Sequence, residues 1–429
     1  MNAISNTLKF VPQSINGLWL AALAALAIVA GTFVSIFSYI AFILAVLAIT
    51  LGSEEDALCS MMLLMSFANI FKSTPAAQSF FTYLLLIYVG LYFFRKRYIH
   101  KTFLISVGLL FFYVLCQIFV TLNILRTIKF FANILLIYLA LNPLSPIKIK
   151  KVLLSYIIGV VATSTLSALN IIPNLSLYIG EQSFMQNSVI MTRFTGMYGD
   201  PNYYSVNVII SLCLVIILNH RKELSAFLSI PLAVLLVLFV GLTMSKSAFL
   251  MLVLPLMLWL YSSSKRRRAL VISTACVVGV VIASQLLVGN ISLFSGVLDR
   301  FNNASDLNSL TTGRYNIWVN YLHFFLQYPG YLIFGQGFGA SLLGGHGAHN
   351  TYIDMFFYLG FIGTVLLLIV IATLISINKP VFKRTFLNFS VWICIFVMYF
   401  FLSNLLYFDL GFHVLIAILA SRLNMNLQN

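Results

Sequence analysis

Apolar residues run along this chain in stretches of roughly twenty, broken by short polar segments from one end to the other. A run of that length suits a helix crossing a hydrocarbon layer of about 30 Å, where a backbone must satisfy its own hydrogen bonds. The pattern predicts spans at 17–33, 35–51, 58–72, 79–94, 102–124, 129–143, 152–172, 203–219, 225–243, 247–262, 269–289, 349–377, 386–403 and 406–422. The expected fold is all-α, a polytopic transmembrane helical bundle of about 12–14 spans. Residues 1–429 then form a single integral membrane domain. The first two runs are short enough to make one long tilted helix, and 58–72 is short enough to be re-entrant. The first run has no clear small-residue cleavage site and reads as a retained span.

Composition and charge sharpen this picture. At 61% hydrophobic and 8% charged, the 429 residues cannot hide their apolar surface in an ordinary soluble core. A net charge of +15 would suit nucleic acid if it formed a patch, but 16 of the 25 Lys and Arg fall in clusters at 95–101, 148–151, 220–222, 265–268 and 379–384. Such clusters hold their loops on the cytoplasmic side, and the alternation of spans puts all of them there, together with both termini. Membrane lipid, and no nucleic acid, is the implied partner. The same alternation places an outer loop at 173–202 and a large outer loop at 290–348. The cysteines, Cys59, Cys116, Cys213, Cys276 and Cys394, lie in or beside apolar runs and read as packing residues.

Seven basic residues remain on the outer side against this bias: Lys72, Arg126, Lys129, Arg193, Lys246, Arg300 and Arg314. Lys72, Arg126, Lys129 and Arg300 are expected to meet headgroups or to snorkel. Arg193 keeps different company, in MTRFTGMYGDPNYYS. There Asp200, Pro201 and Asn202 form a turn and cap signal, so a helix begins near Asn202 and Tyr203 with its positive dipole end toward the loop. Lys246 occupies a tight turn in LTMSKSAFL, where solvation alone would account for it. Arg314 follows Gly313, and beyond it Trp318, Tyr321, Phe324 and Phe325 recur at helical spacing, which predicts an amphipathic helix along the membrane surface.

Two further segments carry candidate chemistry. GQGFG at 335–339 lacks the strand–helix unit of a dinucleotide fingerprint and reads as a tight loop holding Gly337 and Gly339. HGAHN at 346–350 supplies His346 and His349 without a third ligand, so no metal is expected. The outer cations, two helix starts and a histidine before a helix suggest phosphate-directed chemistry. Arginine's planar fork pairs with pyrophosphate oxygens, and histidine can take a proton near neutral pH. The structural alternative is that His349 caps the helix while Arg314 pairs with Asp306 or Asp299.

In these segments the sequence resembles the O-antigen ligase and polymerase superfamily of bacterial envelope polysaccharide assembly. RFTGMYGDPNYYS is similar to its Arg-containing Asp/Asn-Pro-Asn segment, LTMSKSAFL to its Thr-x-Ser-Arg turn and TGRYNIW to the Gly-Arg start of its large outer loop. GQGFG and HNTYIDMFFYLGFIG, with Gly360 and Gly363, resemble its Gly-rich segment and His-Asn motif. Lys246 stands where the family carries arginine, which keeps the charge and loses the fork.

The resemblance implies a GT-C-like membrane glycosyltransferase that is inverting, metal-independent and without a cofactor. It would act on the outer face of the bacterial inner membrane, on a donor glycan linked to undecaprenyl pyrophosphate. His349 would be the general base, with Arg314 and Arg193 as catalytic cations on the pyrophosphate. Lys246, Asp200, Asn202, Tyr203, Gly337, Gly339 and Asn350 would bind substrate. The acceptor would be a glycan or a lipid-linked glycan, and a chain-length regulator is a further partner the resemblance admits. A repeat-unit polymerase of O-antigen or capsule type is favoured by the number of spans and the lack of an acceptor-binding module. The alternative is a ligase transferring glycan to lipid A–core. A lipid-linked saccharide flippase or other transporter would be expected to show internal repeats and mid-membrane charge, whereas the acids within the runs, Asp354 and Asp409, lie near outer ends.

Overall fold

The computed structural model describes residues 16–96, 98–117, 121, 123–172, 175–179, 183–186, 189–243, 245–262, 311, 313–340, 347–377, 386–402, 405 and 408–423. The span expected at 269–289, the clusters at 265–268 and 379–384, and Asp299, Arg300, Asp306 and His346 lie outside these residues. The described chain is a helical bundle, as its apolar pattern predicts. In order it runs α1 (Gly17–Gly31), α2 (Ile36–Leu51), α3 (Glu54–Met65), α4 (Phe80–Arg95), α5 (Lys101–Gln117), α6 (Ile124–Leu141), α7 (Ile149–Ala168) and α8 (Leu175–Ile179). A hairpin of β1 (Ser183–Gln186) and β2 (Val189–Thr192) follows, antiparallel with Ser183 opposite Thr192. Then come α9 (Pro201–His220), α10 (Ala226–Leu242), α11 (Lys246–Ser262), α12 (Arg314–Gln327), α13 (Pro329–Phe334), α14 (Thr351–Ile377), α15 (Phe386–Tyr399) and α16 (Phe408–Arg422).

The helices start where short polar side chains can accept from unpaired first-turn amides. Asn16, Ser53, Ser79, Asn123 and Asp200 cap α1, α3, α4, α6 and α9 in this way. Among the described helices, α6, α7, α9 and α14 are long and apolar enough to cross a membrane, and further apolar helices have 10–17 residues. The centre of the bundle is α9, buried along nearly its whole length and packed by α7, α10, α11 and α15.

The sequence reading needs adjustment at three places. The span expected at 58–72 overlaps the 12-residue α3, which starts earlier, at Glu54, covers only ~18 Å and is buried among other helices. The boundary between α5 and α6 falls at 117–124, so Arg126 and Lys129 belong to the first turns of α6. The span expected at 349–377 is broken at Gly360, which adopts φ 66 and ψ −176. Backbone atoms of residues 333–335 occupy the space a Cβ there would need, so only glycine fits the break.

Connections sort to two opposite ends, as alternating spans require. At one end, Glu54 accepts from the amides of Leu144 and Ser145, Glu55 accepts from Lys148, and Lys151 lies 2.6 Å from Asp56 and 3.1 Å from Glu55. Lys150 pairs with Glu223 at the same end. This is the end of the basic clusters at 148–151 and 220–222. The other end gathers the segments at 193–203, 242–243, 245–248, 335–340 and 347–350.

Candidate active site

The start of α9 builds the first part of the site. Asp200 takes the cap position, its Oδ1 accepting from the amides of Asn202 at 2.7 Å and Tyr203 at 3.2 Å. Asn202 turns inward, where its Oδ1 accepts from the Ser245 hydroxyl at 2.7 Å. Ser245 sits just before Lys246, the first residue of α11, and its Oγ also accepts from the amide of Ala248. Arg193 donates from Nε to the Thr243 carbonyl at 3.2 Å, and the Phe194 amide donates to Leu242. Hydrogen bonds thereby tie Arg193, Asp200, Asn202 and Tyr203 to Thr243 and Ser245, just ahead of Lys246 in the chain.

Arg314 brings the large loop to this assembly. It is the first residue of α12, reached through Gly313 at φ 84. Burial pulls its guanidinium below the usual arginine value, and the Asp200 carboxylate and Tyr203 oppose that shift. The side chain therefore lies within electrostatic reach of the α9 cap. The segment expected to be helical forms α12, with Tyr321 and Phe325 buried and Leu322 and Leu326 exposed. Tyr321 and Phe324 pack edge-on against Phe357 of α14, with ring centroids 5.1 and 5.8 Å away.

One turn beyond Arg314, the Trp318 indole donates to the Ala348 carbonyl at 3.0 Å. The Ala348 amide donates to Asp354 Oδ1 at 3.1 Å. His349 follows with φ 50, a left-handed backbone that few non-glycine residues adopt. The helix cap is Asn350, whose Oδ1 accepts from the amides of Tyr352 and Ile353 at 3.0 and 3.1 Å. His349 is therefore not the capping residue of α14. Asn350, expected among the substrate-binding residues, is only 2% exposed, and its side-chain oxygen serves the helix start.

The glycine segment is placed differently. The amides of Gln336 and Gly337 donate to the carbonyls of Phe357 and Tyr358, and Gly337 has φ 78 with Thr121 where a Cβ would stand. Tyr113 and Gln117 of α5 donate to carbonyls on both sides of this junction, at Phe334, Tyr358 and Leu359. These contacts attach Gly337, and Gly339 two residues on, to the break in α14. None described here joins them to the Arg193–Asp200–Arg314 group.

Two cations expected to snorkel have internal partners instead. Arg126 donates to the Phe338 carbonyl at 3.0 Å, and Lys72 reaches the Pro75 and Tyr178 carbonyls at 3.5 and 3.4 Å. Irregular outer segments leave carbonyls without ladder partners, and these cations supply donors. The sequence reading also passed over His413, which sits in an apolar run. Its Nε2 meets Asn207 Oδ1 at 2.9 Å and its Nδ1 meets the Tyr399 hydroxyl at 2.7 Å. Asn207 in turn donates to the Tyr203 carbonyl, below the α9 cap.

Beside the His349 segment lies a cleft of about 490 Å³ between α12, α13 and the start of α14, lined by Tyr315, Trp318, Tyr321, Phe325, Ile353 and Phe356 among others. Among the described residues no three His, Cys, Asp or Glu side chains gather as metal ligands. Of the described cysteines, Cys59, Cys213 and Cys394 are buried, with the Cys213 and Cys394 sulfurs 3.5 Å apart.

Comparison with known proteins adds one finding. Residues 231–368 match the profile of a family described as O-antigen ligase, a segment holding Lys246, Arg314, Gly337, Gly339, His349 and Asn350. That segment, about a third of the chain, is thus similar to the O-antigen ligase family, and the described helices include four long and apolar enough to cross a membrane. No curated protein and no solved structure matches the chain.

Proposed function

From a chain whose residues 231–368 match the O-antigen ligase family, we propose a repeat-unit polymerase of O-antigen or capsule type, acting on the outer face of the bacterial inner membrane. What supports the reading is α12, which carries Arg314 within electrostatic reach of Asp200 and, one turn on, Trp318 hydrogen-bonded to the carbonyl just before His349. Its donor is a glycan on undecaprenyl pyrophosphate, and its acceptor is the sugar hydroxyl of another lipid-linked unit. His349 takes the hydroxyl proton as the oxygen attacks the anomeric carbon from the face opposite the pyrophosphate. The bond to the pyrophosphate oxygen breaks, its electron pair leaves with undecaprenyl pyrophosphate, and the anomeric configuration inverts. Arg314 and Arg193 stabilise the charge that develops on that leaving group. The aromatic cleft under α12 suits the apolar chain next to the pyrophosphate and keeps water from the donor.

A ligase that transfers to lipid A–core is the second reading, favoured by the description of the matched family. The electrophoretic pattern of surface polysaccharide in a deletion strain decides between them. Loss of the polymerase leaves core capped with single repeats. Loss of the ligase leaves bare core and accumulated lipid-linked polymer. An unchanged pattern contradicts both.

A further inference from the structure

We propose that Trp318 positions His349, so that α12 couples anion capture at Arg314 to orientation of the base; this rests on the reading of His349 given above. Ala348, the residue ahead of His349, is held at both of its backbone polar atoms by side chains, Asp354 on its amide and Trp318 on its carbonyl, which belongs to the peptide leading into His349. Ala348 has no solvent exposure, so these side chains stand in for water at both atoms. On the other side Asn350 is fixed as the α14 cap. His349 spans these anchors with a left-handed backbone, and the direction of its ring follows from the turn of the peptide before it.

Asp354 and Asn350 belong to α14 and its cap, and their hold is local. Trp318 comes from α12, four residues after Arg314 and on the same helical face. Its ring meets Phe400 edge-on at 5.2 Å, which fixes the plane from which the indole N–H donates. One short rigid helix thus carries the cation facing Asp200 and Tyr203 at its first residue and the donor that turns the His349 peptide one turn later. An anion that steadies Arg314 steadies Trp318 with it, and the base is set when the pyrophosphate is in place. Water meeting the site without donor then finds a base that is not fully oriented.

The test uses full-length protein in lipid nanodiscs, inorganic pyrophosphate as the anion and diethyl pyrocarbonate as the histidine reagent, with His349 modification read by mass spectrometry. Trp318→Phe keeps the aromatic contact and removes only the N–H. Pyrophosphate should change the rate of His349 modification several-fold in the parent protein and leave it unchanged in Trp318→Phe, while binding both equally. Turnover on the cell's own lipid-linked glycan should fall about 10²-fold with the donor KM unchanged, the loss expected for a reacting group displaced by ~1 Å. Asp354→Ala, which frees the other backbone polar atom of Ala348 while leaving the Trp318 ring in place, should lower kcat in the same direction. A merely structural role would lower thermal stability and raise KM together. The proposal is overturned if pyrophosphate leaves His349 reactivity unchanged in the parent, or if both variants keep parental turnover. His349→Ala in parallel separates the failures: parental turnover there removes the base assignment itself, whereas an inactive His349→Ala beside a fully active Trp318→Phe removes only the positioning role.

Discussion

The two ends of the bundle treat positive charge in opposite ways. At the end of the basic clusters, Lys150 and Lys151 sit against Glu223, Glu55 and Asp56, and Glu54 and Glu55 also tie down the loop before α7. Those pairs cancel charge and staple connections. At the far end, Arg126 and Lys72 donate to carbonyl oxygens, and a carbonyl orients a cation without neutralising it. The first arrangement suits stability, and the second suits an anionic ligand. The difference teaches that cation count says little, since what holds the cation decides what it can do.

The comparison makes graded predictions. The largest effect belongs to His349→Ala, which should lower turnover by roughly 10²–10⁴-fold while donor binding stays near parental, because the base acts on the acceptor. Saturating-donor kinetics check this, and near-parental turnover would break the assignment. Arg314→Lys comes next. It keeps the charge and loses the fork beside Asp200, so kcat/KM should fall roughly 10–10²-fold through weaker donor binding and weaker leaving-group stabilisation.

Stability effects follow. Gly360→Ala should cost at least about 1–3 kcal/mol from the left-handed backbone alone, with crowding by residues 333–335 added. Gly241→Ala, with open space around it, should be neutral or slightly stabilising in the same thermal-unfolding comparison. The smallest effect is expected for Lys150→Ala, whose pair with Glu223 is largely exposed, at ~1 kcal/mol or less. A loss of transfer activity in Lys150→Ala, with stability intact, would erase the distinction between the two ends.

Much of this was legible in the sequence, for physical reasons. Uninterrupted apolar runs predict helices in lipid because no other open backbone is tolerated there, and the basic clusters give the alternation of ends. Asp200 was readable as a cap, since Asp before Pro states that geometry locally. The break at Gly360 was not, because it depends on the chain at residues 333–335 passing close by. For His349 capping stood as the alternative to a chemical role: His and Asn stand side by side, and only backbone geometry shows that Asn350 does the capping. Trp318 entered only as one of an aromatic stripe. Its spacing of four from Arg314 was visible, but its partner, a carbonyl thirty residues away, was not.

The central claim is that Arg193, Arg314 and His349 share one water-accessible site on the face opposite the basic loops. Arg193→Cys, Arg314→Cys, His349→Cys and Glu223→Cys, each in a background with the native cysteines replaced by Ala, test it with a membrane-impermeant thiol reagent applied to intact spheroplasts. The account predicts that the first three are labelled from outside, each more slowly when inorganic pyrophosphate is present, and that Glu223→Cys is labelled only after the membrane is opened. Labelling of Glu223→Cys from outside, with the other three protected until the membrane is opened, would contradict it.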